Sequence, residues 1–215
     1  KGMNASTNYA ALLADAIAIN GTVTAASAAV GAGNFPYNNQ TGEMNSLGKT
    51  ATVMQMIFPE YSIDISNLGG IKANSISMVG NTLGLGVRNK GTITANAALA
   101  MTSYGSLVNE GSINTNGLMA KMASLGDMKN TGTINSTAYV TQLSSVGTLT
   151  NEGTIASSKQ IAISATGDLV NAGTMKGTQL LSVASGGNLT TRKGSNTVSD
   201  GQLAVSANNI DNAGS

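Results

Sequence analysis

Residues 147–157 read GTLTNEGTIAS, and this wording recurs through the second half of the chain. An Asn-x-Gly triplet starts at Asn89, Asn109, Asn130, Asn151, Asn171 and Asn212, with steps of 20, 21, 21, 20 and 41 residues. The last step is two periods. Its middle member is degenerate, with Thr191 in the Asn slot followed by Arg192-Lys193-Gly194. Two residues before the slot stand Val87, Leu107, Met128, Leu149, Leu169, Leu189 and Ile210. Four residues after it stand Ile93, Ile113, Ile134, Ile155 and Met175. A later apolar patch returns as Leu99/Met101, Ile161/Ile163 and Leu181/Val183.

Each unit reads as short alternating strands punctuated by Gly, Asn and Ser, without helical 3.6 spacing. One unit cannot fold alone. The few side chains it buries do not offset a backbone entropy cost of about 1 kcal/mol or more for each ordered residue. Stacked units share a core and pair their strands, which is a solenoid. The L-x-x-L-x-L frame of a leucine-rich repeat is missing. The spacing therefore predicts an all-β parallel β-helix with one coil per unit. In it, the apolar columns point inward and the Asn residues stack as a ladder at a turn. The following Gly is expected to supply a positive φ there.

Read backwards, the period weakens. Residues 65–79 fit one coil with Asn67 in the slot, and residues 9–33 fit one or more. Residues 34–62 break the period, holding Pro36, Pro59, Phe35, Phe58 and an apolar run over 53–58. The expected organisation is first coils over 1–33, an extra-helical loop or hairpin over 34–62, and one continuous solenoid over 63–215. That makes nine or ten coils, a rod of roughly 45 Å.

Composition narrows the chemistry. The chain has 215 residues, with 10% charged, 3% aromatic, 27 Gly, no Cys and no His. Without Cys or His there is no disulfide, no thiolate metal site and no Ser-His-Asp or Cys-His mechanism. A net charge of +1 leaves no electrostatic footprint for nucleic acid. No apolar run has the length of a transmembrane helix. No cofactor and no enzymatic activity are expected.

Residues 63–93, IDISNLGGIKANSISMVGNTLGLGVRNKGTI, carry a more specific wording. They resemble the large exoproteins of bacterial two-partner secretion, the filamentous-haemagglutinin-like adhesins and contact-dependent growth-inhibition proteins. In that family, a segment like Leu68-Gly69-Gly70-Ile71-x-Ala73-Asn74, followed by GLGVRNKG at 84–91, joins the secretion domain to the repeat array. The units around 147–157 look like haemagglutinin repeats, and residues 9–33 look like the end of the secretion domain. The resemblance implies a right-handed β-helix, a partner transporter in the outer membrane and a secreted or cell-surface location. It also implies a distal region that meets a host-cell, matrix or target-bacterium receptor or glycan. The Asn-Pro export motifs of the family are absent, so this piece lacks most of that signal. The array reaches Ser215 in mid-unit, so repeats are expected to continue beyond it.

Other motifs have plainer readings. GEMNSLGKT at 42–50 has five residues between its glycines where a phosphate-binding loop needs four. Glu110/Glu152 and Asp127/Asp168 are same-column carboxylates two coils apart, a spacing near that of an inverting glycosidase, but turn positions facing water account for them. Lys90 lies one coil from Glu110 and suits a surface pair. The column Thr92, Ser112, Thr133, Thr154, Thr174 reads as strand propensity and not an ice-binding array. Sequons stand at Asn4, Asn20, Asn39, Asn135 and Asn188. The aromatic group Phe35, Tyr37, Phe58 and Tyr61 marks the excursion as a candidate glycan-binding loop. The expected function is a structural and adhesive stalk of a secreted exoprotein. The alternative is a polysaccharide-binding or polysaccharide-cleaving β-helix.

Overall fold

The structure is a computed structural model that describes residues 2–33 and 60–215. Phe35, Pro36, Tyr37, Asn39, the 42–50 motif, the 53–58 run, Phe58 and Pro59 lie outside the described residues. Every regular element described is a β-strand, and every strand pairing is parallel. The strands wind into a solenoid of about nine turns, as the repeat predicts.

A typical coil is made of Leu149–Asn151, Thr154–Ser157 and Gln160–Ala165. These three short strands form three flanks. The first flank is a nine-stranded sheet running from Ile17–Ile19 to Asn209–Asn212. The other two flanks belong to a 14-stranded sheet that forks at Thr92–Ser103. The first half of that long strand pairs with Ser112–Thr115 and the second half with Met119–Ser124. The earlier coils keep the two halves joined, as Met3–Ala14, Thr22–Ala32 and Gly70–Gly80. The fork coincides with Asn116-Gly117, where Gly117 has a φ of 88°, a left-handed angle that sharpens the bend into a corner.

The predicted columns are true registers. Val87, Leu107, Met128, Leu149, Leu169 and Leu189 pair in succession along the first flank, each no more than 3% exposed. Ile71, Ile93, Ile113, Ile134, Ile155 and Met175 do the same along the second. The buried side chains of all coils join into one continuous cluster, so neighbouring coils share a core that none could bury alone. At the final coil Leu203 and Ile210 are 49% and 55% exposed, because no further coil covers them among the described residues.

The array resumes where it left off. Ile17 pairs with Ile63 and Thr22 with Gly70, so the coils on either side of residues 34–59 stack as direct neighbours. The re-entering strand is Tyr61–Ile65, so Tyr61 and Ser62 sit in the array and not in the excursion where the period put them. The coil before Asn89 is also phased differently from the sequence reading. Ile65 pairs with Asn89, while Asn67 is exposed at the corner beyond.

Candidate functional site

Two features concentrate polar chemistry on this fold, an asparagine ladder inside one corner and a charged notch beside the re-entry point. The ladder comes from the last residue of each first-flank strand. Alternation points Val87 and Asn89 inward and Arg88 outward, and the same holds in later coils. The side chains of Asn89, Asn109, Asn130, Asn151 and Asn171 are therefore buried, at 0–2% exposure, and not displayed at a turn, while Asn212 in the final coil is exposed.

Each amide donates to the next. Asn89 Nδ2 reaches Asn109 Oδ1 at 2.8 Å, Asn109 reaches Asn130 at 2.8 Å, Asn130 reaches Asn151 at 2.8 Å and Asn151 reaches Asn171 at 2.9 Å. The same nitrogens also face the carbonyls of Ser112, Thr133, Thr154 and Thr174 in the following coil, at 3.0–3.4 Å. The ladder has a direction and two ends. At its start, Asn89 Oδ1 is buried without a partner, because the preceding position is Ile65. At its end, Asn171 Nδ2 donates to Asn196 O and Thr197 Oγ1, both at 2.9 Å. Asn212 joins the column through a hydrogen bond accepted from Thr191.

The glycine two residues beyond each Asn has a different reason from the one its sequence suggests. Gly91, Gly111, Gly132, Gly153 and Gly173 are not among the positive-φ glycines. A Cβ on any of them would lie 2.0–2.1 Å from the carbonyl oxygen of Gly69, Gly91, Gly111, Gly132 or Gly153 respectively, each in the coil before. The column is glycine because the stacked backbones touch there.

A second ladder escaped the sequence reading. Ser103, Ser124, Ser145 and Ser185 end the third-flank strands, buried at 0–8%. Their hydroxyls donate to the corner carbonyls of Ser106, Gly126, Gly147 and Asn188 at 2.8–3.0 Å. The signal was present as Ser 14 or 15 residues after the ladder Asn, with Ala165 as the exception.

The notch is a concavity of about 300 Å³ lined by Ala16, Ile17, Ala18, Glu60, Tyr61, Asp64 and Arg88. On its outer face Ala18 stands in register with Asp64 and then Arg88, a small side chain beside two long ones. The Arg88 guanidinium forks onto Asp64, with Nε to Oδ1 at 3.0 Å and Nη2 to Oδ2 at 2.7 Å, and its centre lies 4.3 Å from the centroid of the Tyr61 ring. Tyr61 donates its hydroxyl to Glu60 Oε1 at 3.0 Å. Gly86 leaves room for the ring, since a Cβ there would stand 3.0 Å from Tyr61 Cδ1. Of the four aromatics proposed for a binding loop, Tyr61 alone is described, and it is held as a strand residue beneath Arg88.

The Asp64 hydrogen bond holds the Arg88 guanidinium protonated above its ordinary range. Burial, and then the hydrogen bond to Glu60, raise the Tyr61 phenol above its ordinary value of 10.0. A raised phenol favours the neutral form in the fold. Its contribution to stability is therefore complete below pH 10 and is lost as pH rises through the folded-state value. The difference between the ultraviolet titrations of the protein and its Tyr61→Phe variant is expected to show one phenol ionising above pH 10. A difference centred at or below pH 10 would contradict the assignment.

The carboxylates considered for catalysis are committed elsewhere. Glu110 faces Lys90 at 3.6 Å and Glu152 faces Lys129 at 3.1 Å, exposed pairs worth under about 1 kcal/mol each. Asp127 Oδ1 accepts the Thr148 N–H at 2.8 Å, and Asp168 Oδ1 accepts the Asn188 N–H at 2.7 Å. Each fastens a corner to its neighbour. Among the described residues, no group of three or more Asp or Glu could hold a metal. The Thr92, Ser112, Thr133, Thr154, Thr174 column is in register on the outer side of the second flank. The described sequon asparagines Asn4, Asn20, Asn135 and Asn188 are exposed.

Two known proteins are similar to parts of this chain. Over 58 residues, 26% of the chain, it is 41% identical to a protein named toxin CdiA from Yersinia pestis. Over 104 residues, 48% of the chain, it is 38% identical to a protein named tRNA nuclease CdiA-2 from Burkholderia pseudomallei. The matched segments are only 2% and 3% of the length of those relatives. No family model and no solved structure matches the chain. The two similarities and the β-solenoid fit an exoprotein of the CdiA or filamentous-haemagglutinin kind.

Proposed function

We propose that this segment is a stalk in a large secreted bacterial exoprotein, passing a distal adhesin or toxin region away from the cell that makes it. The observation that carries the proposal is the unbroken first-flank sheet, nine strands in parallel register with one buried core behind them. Such a column resists bending because every coil is hydrogen-bonded to both neighbours, and it lengthens by simple addition of coils. Its resemblance to two-partner-secretion exoproteins supports export by an outer-membrane transporter, display at the cell surface and folding coil by coil after export. Receptor or glycan recognition, and any nuclease activity of the kind in one relative's name, belong in this reading to other parts of the full protein. No catalytic step is assigned to the residues described.

Removing whole coils tests the proposal. Deleting residues 131–171, two periods (171 − 130 = 41 residues), joins Asn130 to an equivalent corner. The full exoprotein so shortened should still be exported and displayed. The 215-residue chain so shortened should lose about 10 Å of rod length in small-angle X-ray scattering. Display retained with cell binding lost would assign a recognition role to these coils and overturn the stalk reading.

A further inference from the structure

Two corners of the array are two residues longer than the rest, 66–69 between Ile65 and Gly70 and 192–195 between Thr191 and Asn196, and the second carries two basic residues. Between the Asn slot and the next strand the regular coils have two residues, as in Asn151, Glu152-Gly153, Thr154 and Asn171, Ala172-Gly173, Thr174. In the degenerate coil, Thr191 pairs with Asn171 while Asn196 pairs with Thr174. The span grows from 3 (174 − 171) to 5 (196 − 191), an insertion of two residues. The extra chain leaves the surface as Arg192-Lys193-Gly194, all exposed, and closes with the Ser195 N–H donating to Arg192 O at 2.9 Å. Gly194 has a φ of 84° and no atom within 4 Å of a Cβ built on it, so this turn stands clear of the coil before it. Ser195 is buried in this corner at the place where the regular coils have Gly.

The remaining described Lys and Arg residues are fastened differently. Arg88, Lys72, Lys121, Lys129 and Lys176 lie within paired strands. Lys159 O accepts from Gln179, and Lys90 donates its N–H to Ile65 O as Arg192 does to Asn171 O, but Lys90 is followed directly by the packed Gly91, whereas Lys193 and Gly194 follow Arg192 in the open turn. Proteases bind an extended, accessible backbone, which strand ladders withhold and a protruding turn provides. Arg192 and Lys193 form no ion pair with another described residue.

We infer that the Arg192-Lys193-Gly194 protrusion is a processing site for a protease that cleaves after basic residues. Hydrolysis of the Lys193–Gly194 bond consumes one water and leaves a carboxylate on Lys193 and an amine on Gly194. The cut does not release the two pieces. Asn196–Ser199, Gln202–Ser206 and Asn209–Asn212 each remain paired with a strand on the other side of it.

Trypsin is the probe, applied to the native 215-residue protein with products mapped by mass spectrometry. The first cut among the described residues is expected at 192–194, with both pieces co-eluting until denaturant is added. The double variant Arg192→Gln, Lys193→Gln should abolish it. Thr131→Lys places a basic residue at a regular corner, and cleavage there should be slower by at least about tenfold. First cleavage after Lys121, Lys129, Lys159 or Lys176, no cleavage at 192–194, or equally fast cleavage at the Thr131→Lys corner would overturn the inference.

Discussion

Gly132→Ala is expected to cost about 3–5 kcal/mol of stability, far more than most single substitutions. Its Cβ would lie 2.1 Å from Gly111 O, 2.7 Å from Glu110 C and 2.9 Å from Gly111 N. All three are backbone atoms of the preceding coil, so no side chain can swing aside. The coils must separate by about 1 Å, a form of overpacking that by itself costs roughly 1–3 kcal/mol. Separation also stretches the bonds Thr131 N to Asn109 O, Gly132 N to Asn109 O and Thr133 N to Gly111 O, now 2.8, 3.1 and 2.9 Å. Each is worth about 1 kcal/mol. Gly194→Ala is the control. Its strain is only the left-handed φ, about 1–2 kcal/mol, because the space around it is open. Urea unfolding of both variants measures the difference. Gly132→Ala within 1 kcal/mol of the parent would refute the contact explanation of the glycine column.

The position of an Asn in its ladder should decide what its loss costs. Asn130→Leu leaves Asn151 Oδ1, 0% exposed, without its donor and takes the acceptor from Asn109 Nδ2, which keeps only carbonyls at 3.3 Å. A newly orphaned buried amide oxygen costs about 1–3 kcal/mol in addition to the hydrogen bonds lost. Asn89→Leu removes an amide whose own Oδ1 already lacks a partner. The orphan passes to Asn109, and the number of unsatisfied atoms stays the same. An aliphatic side chain fits this column, since Ile65 holds the preceding place at 0% exposure. The expected costs are about 2–4 kcal/mol for Asn130→Leu and about 1 kcal/mol for Asn89→Leu. Equal costs, measured by chemical denaturation, would contradict a directional ladder.

The parts of the fold legible in the sequence are those fixed by side-chain period. Val87, Leu107 and Leu149, or Ile93, Ile113 and Ile134, must align because a slip of one residue would turn each column to water. What the sequence hid is set by backbone contact or by a change of phase. The Asn-x-Gly spacing is visible, but whether its glycine serves φ or close approach depends on how near the next coil lies. Asn67 fits the count of residues, yet Ile65 fills the slot because the corner between Tyr61–Ile65 and Gly70–Gly80 is two residues longer than the regular corners that follow it. Tyr61 read as part of an aromatic loop because its neighbours break the period, while its own environment is a strand beneath Arg88. The Ser ladder was overlooked because serine is common in this chain and its column carries no apolar residue to mark the phase.

Stacking of every coil round one axis is the claim on which the rest depends, and paired spin labels measure it directly. The protein has no Cys, so labels attach only where cysteines are introduced. Lys72, Thr94, Asn114, Asn135, Ala156, Lys176 and Val198 pair in one outer column, so Ala156, Lys176 and Val198 lie four, five and six coils from Lys72. Lys72→Cys combined in turn with Ala156→Cys, Lys176→Cys and Val198→Cys should give narrow distances near ~19, ~24 and ~29 Å, rising by one strand spacing per coil. Distances that do not rise evenly, or that spread broadly, would show that the coils do not share an axis.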